Sequence, residues 1–100
     1  MARFVLVYQG GAMAETDEAQ QAAMAAWGAW FGSLGPAVAD AGAPFGASAA
    51  VGGGPSQTAI TGYSILEADD LDAATKLGEG CPVLANGGRV DVYEALDVSA

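Results

Sequence analysis

The chain contains no histidine, and cysteine occurs once, at Cys81. Without an imidazole, Ser-His-Asp and Cys-His nucleophile activation are excluded, as are Cys/His zinc sites. A single cysteine rules out an internal disulfide and fits a reducing compartment. Bases are nearly as scarce: Arg3, Lys76 and Arg89 stand against 12 acids, for a formal net charge of −9. Nucleic-acid binding works by neutralising phosphates with Lys and Arg, so three scattered bases exclude that partner class. The same imbalance disfavours an anionic membrane surface and favours solubility.

Extended apolar segments are missing too: none reaches the roughly 18 residues of a membrane-spanning helix. The opening MARFVLVYQGGAMA imitates a secretory signal, with Arg3, an apolar run and an A-x-A-like end at Ala12 to Ala14. The run Phe4–Tyr8 is only five residues, short of the ~7–15 of a signal core. The reading is a soluble, cytoplasmic protein with no membrane partner.

What remains is small and apolar. The 52% hydrophobic content is swollen by alanine, and the 15 glycines add little packing volume. One hundred residues make one domain, residues 1–100, burying roughly 60–65% of its unfolded surface. Large apolar side chains are few, so their placement matters.

Phe4-Val5-Leu6-Val7-Tyr8 reads as a strand apolar on both faces, ended by Gly10-Gly11. Thr16 is a helix N-cap, followed by acids that suit the positive helix end. This helix runs to about Leu34, where Gly35-Pro36 stops it. Met24, Trp27, Phe31 and Leu34 form one stripe on it, flanked by Trp30. The stripe reads as core, or one of Trp27 and Trp30 faces a ligand. Pro36 to Gly42 is a short strand, Pro44-Phe45-Gly46 a turn, and Ala47 to Val51 a second short strand. After the loop Gly52-Gly53-Gly54-Pro55, Thr58 to Leu66 reads as a long strand that forms a hairpin with the segment before the loop. Asp69 caps a second helix from Asp70 to about Leu77, with Asp72 as an imperfect capping box. Pro82 forbids its return. Val83-Leu84-Ala85 is a short apolar piece, Asn86-Gly87-Gly88 a turn, and Arg89 to Val98 a last strand.

This order predicts an α+β ferredoxin-like sandwich, an antiparallel sheet with two helices on one face. Phe4, Leu6 and Tyr8 point to one side of the first strand, Val5 and Val7 to the other. The long strand offers Ala59, Tyr63 and Ile65 on one face, Ile60 and Leu66 on the other. Two helices cover one face only, so the expectation is a homodimer packing sheet on sheet.

The stretch Gly62-Tyr63-Ser64-Ile65-Leu66-Glu67-Ala68-Asp69-Asp70-Leu71-Asp72-Ala73-Ala74, then Gly80-Cys81-Pro82-Val83-Leu84, Gly87-Gly88 and Val90-Asp91-Val92-Tyr93-Glu94, resembles the YCII-related (DGPF-type) proteins. Tyr8-Gln9-Gly10-Gly11 and Asp40-Ala41-Gly42 fit as well. The resemblance implies a dimeric α/β barrel, in which two sheets close around a cavity near the interface. Some members carry a His–Asp pair; only the carboxylate carries over, onto Asp40. The DGPF signature departs too, since Gly53-Gly54-Pro55-Ser56 keeps only Gly-Pro.

Two functions are open at this point. In the first, Asp40, a partly desolvated carboxylate at a strand end, is the general acid/base of a cofactor-independent small-molecule enzyme. Its pocket is lined by Trp27 or Trp30, Tyr8, Tyr63 and Ser64. In the second, Asp40 caps backbone N–H groups in a turn, and the chain is a non-catalytic ligand-binding or interaction module. Tyr8 and Tyr63 equally suit a dimer interface. Cys81 lies beyond a helix C-terminus, the wrong end for a reactive thiolate, and reads as structural. The glycine loops lack the Lys-Ser/Thr of a phosphate loop. The acids near both helix starts have no calcium-loop spacing. No cofactor and no metal are expected.

Overall fold

Ala2–Gln9 forms β1, a central strand of a four-stranded antiparallel sheet. The computed structural model describes residues 2–10, 15–53 and 60–96. Along the chain follow α1 (Asp17–Leu34), a 3₁₀ turn (Gly35–Ala37), β2 (Val38–Pro44), β3 (Ile60–Ala68), α2 (Leu71–Gly78), a second 3₁₀ turn (Pro82–Asn86) and β4 (Arg89–Ala95). The sheet order is β2-β3-β1-β4, with every neighbouring pair antiparallel. Each helix therefore connects two strands that have a third between them, which is the split βαβ arrangement of the ferredoxin-like α+β fold.

Period-two alternation decides which face is buried. Phe4, Leu6 and Tyr8 are buried on β1, and Gly62, Ser64, Leu66 and Ala68 on β3. They meet both helices: Leu6, Tyr8 and Leu66 form one cluster with Trp30, Cys81 and Val83, while Phe4 and Ala68 pack with Ala74 of α2. Phe4, Leu6 and Leu66 are fully enclosed, each contributing about 1.5–3 kcal/mol of transfer free energy. Across the sheet, Val5 pairs with Ile65 and Tyr93, and Val7 with Tyr63 and Asp91. These residues lie on the face that neither helix covers.

Caps set the helix ends. Thr16 accepts from the Ala19 amide at 3.0 Å, and Gly35, at φ 55° and ψ −126°, takes a positive-φ backbone open to glycine that ends α1. At α2 the expectation was one residue early. Asp70, not Asp69, has the extended N-cap backbone and accepts from Ala73 at 2.8 Å. That makes Ala73 the third helical residue, so Asp72 cannot close a capping box.

The middle of the chain departs most. Residues 47–51 form no strand. The partner of β3 is Val38–Pro44, and Phe45 extends that pairing by donating to the Thr61 carbonyl at 2.9 Å. Alanines, a serine and a glycine offer residues 46–50 no side chain to pack on a sheet, whereas Val38 packs against the core. Pro36 falls in the 3₁₀ turn, and Pro44 sits on the edge strand, where a missing N–H is tolerated. The apolar piece around Val83 is a 3₁₀ turn. Thr58, Ala59 and the end of the last strand at Val98 lie outside the described residues.

Candidate ligand-binding site

A cleft of about 490 Å³ opens between α1 and the β2–β3 half of the sheet. Its origin is a mismatch in side-chain size. Beneath α1 the strands present Ala41, Gly42 and Ala43 of β2 with Gly62 and Ser64 of β3. Such residues cannot fill the space under a helix that projects Trp27 and Phe31. Gly42 is obligatory here. Its φ is +76°, and a Cβ built on it would lie 1.8 Å from the Tyr63 carbonyl oxygen, a contact no side chain survives. The backbone of β2 therefore approaches β3 closely, within the register irregularity between Asp40 and Ala43.

The opposite wall is aromatic. Trp27 is its hub: its ring meets Tyr8 edge-on at 5.0 Å and Trp30 edge-on at 5.7 Å, and lies tilted 5.9 Å from Phe31. Edge-to-face pairs of this kind hold one another in place. Met24 closes the rim at 75% exposure, so the cleft is open to solvent there. Thr61, Pro44 and Val83 complete the lining with Tyr63 and Ala23. No charged side chain lines the cleft among the described residues.

Polar groups in the wall form a short relay. The Tyr8 hydroxyl donates to Ser64 Oγ at 2.7 Å, and Ser64 donates to the Ala41 carbonyl at 2.7 Å. Thr61 Oγ1 donates to the Tyr8 backbone carbonyl at 3.2 Å. Burial pushes the Tyr8 phenol up to about 12; the Ser64 hydrogen bond opposes this, and nearby Cys81 adds to it. Burial likewise pushes the Cys81 thiol up to about 11, which keeps it protonated and inert at neutral pH. Among the described residues, no three His, Cys, Asp or Glu side chains come together as a metal site.

The structure brings Tyr8, Trp27 and Ser64 to one cleft, and Tyr63 borders it from β3 while its ring stacks on Phe45 on the uncovered face. Trp30 is elsewhere: it is buried in the core, and its indole N–H is bonded to the Leu77 carbonyl. Asp40 does not line the cleft either. It is exposed, stands opposite Ile65 in the register of the uncovered sheet face, and accepts from the Gly42 amide at 2.8 Å. That is the turn-capping geometry Asp favours. Ala23, Thr61, Val83 and the run Ala41–Pro44 carry no site expectation in the sequence, and Phe31 figures there only in the α1 stripe. The signal for them is present: a strand of small residues whose partner helix carries an aromatic stripe leaves a gap that neither fills.

Fold and site together define a ferredoxin-like α+β fold with an aromatic-walled cleft that no charged side chain lines among the described residues. No family model matches the chain, and no curated protein or solved structure matches it. No helix among the described residues is long and apolar enough to cross a membrane.

Proposed function

We propose that this chain is a small-ligand-binding module that holds an uncharged, largely apolar molecule in the cleft beneath α1 without transforming it. One observation carries the reading: an open cleft of about 490 Å³ with an aromatic wall and no charged lining residue, within the roughly 300–1,000 Å³ of small-molecule sites. Catalysis through Asp40 finds no support in its position, since its carboxylate is engaged by Gly42 and registers on the other face of the sheet. Among the described residues no carboxylate, amine or thiol lines the cleft, and Tyr8, protonated up to about pH 12, is no base near neutrality.

The reading includes a second copy of the chain on the uncovered face. Val5, Val7, Tyr63 and Ile65 are half-buried there, and Phe45 stacks on Tyr63 at 5.7 Å while remaining half-exposed. Polar residues border this face: Arg3 and Glu67 at one end, Gln9, Asp91 and Arg89 at the other, and Asp40 on the edge strand β2. An apolar centre with a polar rim is the anatomy of an interface. Membership of the YCII-related family belongs to the same proposal and is supported by the sheet order and the dimer-competent face. Cytoplasmic residence is supported by the single buried thiol.

The test is a titration with 4-phenylphenol, followed by amide chemical shifts. Saturable shifts are expected along Ala41–Ala43 and around Trp27. In Ala23→Trp, which fills the cleft from α1, they should vanish while far-UV circular dichroism is retained. Binding that persists unchanged in a folded Ala23→Trp chain would place the ligand elsewhere and overturn the reading.

A further inference from the structure

The direction of the wall relay limits what a ligand can do there. The Ala41 carbonyl can only accept, so the single Ser64 proton, 2.7 Å away, must point to it. Ser64 Oγ is then left as an acceptor, and the Tyr8 proton must point to Ser64. Ser64 is completely enclosed, so the relay does not swing out toward solvent. The third wall hydroxyl, on Thr61, is likewise committed to the Tyr8 carbonyl. Each of these three protons is therefore held by the protein, and the phenol oxygen of Tyr8 retains only lone pairs.

We infer that the cleft selects an uncharged ligand that itself donates a hydrogen bond, an alcohol, phenol or amide N–H, to the phenol oxygen of Tyr8. This rests on the ligand-binding reading above. A carboxylate or phosphate brings only acceptors to that position. At the Tyr8 oxygen it would meet lone pairs, with no cation among the lining residues, on a chain of net charge −9. A buried acceptor facing an acceptor loses affinity, whereas a donor there completes the relay.

Three ligands of one shape test this by isothermal titration: 4-phenylphenol, its methyl ether 4-methoxybiphenyl, and biphenyl-4-carboxylate. The phenol should bind about tenfold tighter than the ether, the worth of one hydrogen bond at an enclosed site, and the carboxylate should not saturate. In Tyr8→Phe the phenol/ether ratio should fall to about one. Equal affinity of phenol and ether for the wild-type chain overturns the inference and leaves the ligand-binding reading standing, as does a carboxylate that binds as well as the phenol. Failure of all three to bind overturns both. The wild-type comparison decides the matter even if Tyr8→Phe does not fold.

Discussion

The indole N–H of Trp30 reaches from α1 to the Leu77 carbonyl in the last turn of α2, at 3.2 Å. That carbonyl is one of the four that a helix end leaves without an intrahelical partner. The ring also covers Gly80, where a Cβ would lie 3.2 Å from its atoms. One side chain thus closes the end of α2 and joins the two helices over the sheet.

Trp30→Phe should lower stability by about 1 kcal/mol, the net worth of the hydrogen bond, and Trp30→Ala by about 3–5 kcal/mol through the cavity it leaves. Denaturant unfolding monitored by circular dichroism gives both values. A Phe variant as unstable as the Ala variant would mean that the hydrogen bond, not the packed ring, dominates.

Gly42 and Gly87 share a positive φ, +76° and +79°, but only Gly42 faces a steric wall. Gly87→Ala should cost about 1 kcal/mol, the price of the left-handed backbone alone. Gly42→Ala adds collision with the Tyr63 carbonyl and should cost upwards of about 3 kcal/mol. Thermal unfolding of the pair checks the difference, and equal costs would contradict the close approach of β2 to β3.

Alkaline pH should destabilise the fold. Tyr8 and Cys81 both have folded-state values raised above their ordinary ones, to about 12 and about 11 from 10.0 and 9.0. Both groups are protonated in either state below pH 9, so their environment costs nothing there. Above it the unfolded chain loses protons that the folded chain keeps, and stability falls as pH rises. For Cys81 the loss runs from about pH 9 to 11, and for Tyr8 from about pH 10 to 12. Urea midpoints across this range should decline less steeply in Cys81→Ala over the lower interval and in Tyr8→Phe over the upper one.

Asp40→Asn keeps an oxygen for the Gly42 amide and should change both stability and 4-phenylphenol affinity little, within about 0.5 kcal/mol. Asp40→Ala removes the acceptor and should cost about 1 kcal/mol of stability, again without altering affinity. A large affinity loss in the Asn variant, measured by calorimetry, would return Asp40 to the cleft.

Self-association has its own variant. Ile65 lies at the centre of the uncovered face, opposite Val5 and Asp40. The wild-type chain should sediment at twice its mass, and Ile65→Lys at the single-chain mass with unchanged circular dichroism. A wild-type chain that remains single at all concentrations removes the second copy.

Much of the scaffold can be read directly along the chain. Alternation in Phe4–Tyr8 separates the two sheet faces, Thr16 and Gly35 bound α1, and Pro82 ends any continuation of α2. The segment after Phe45 has an apolar composition without bulk and so no local preference, and β3 pairs instead with the strand that Val38 anchors. Trp27 lies on the apolar stripe and Trp30 flanks it in the sequence, yet one lines the cleft and the other locks the helices. A helical wheel does not resolve that split, because it depends on where α1 sits above the sheet.

Composition and spacing alone establish an acidic, histidine-free α+β chain with one sheet face left bare, since periodicity, caps and charge act over a few neighbouring residues. The cleft, the outward register of Asp40 and the one-way hydroxyl relay come only from folding. Each depends on atoms far apart in the chain, Tyr8 against Ser64 and Trp27 against Ala41–Ala43, and a gap between distant elements has no local signature.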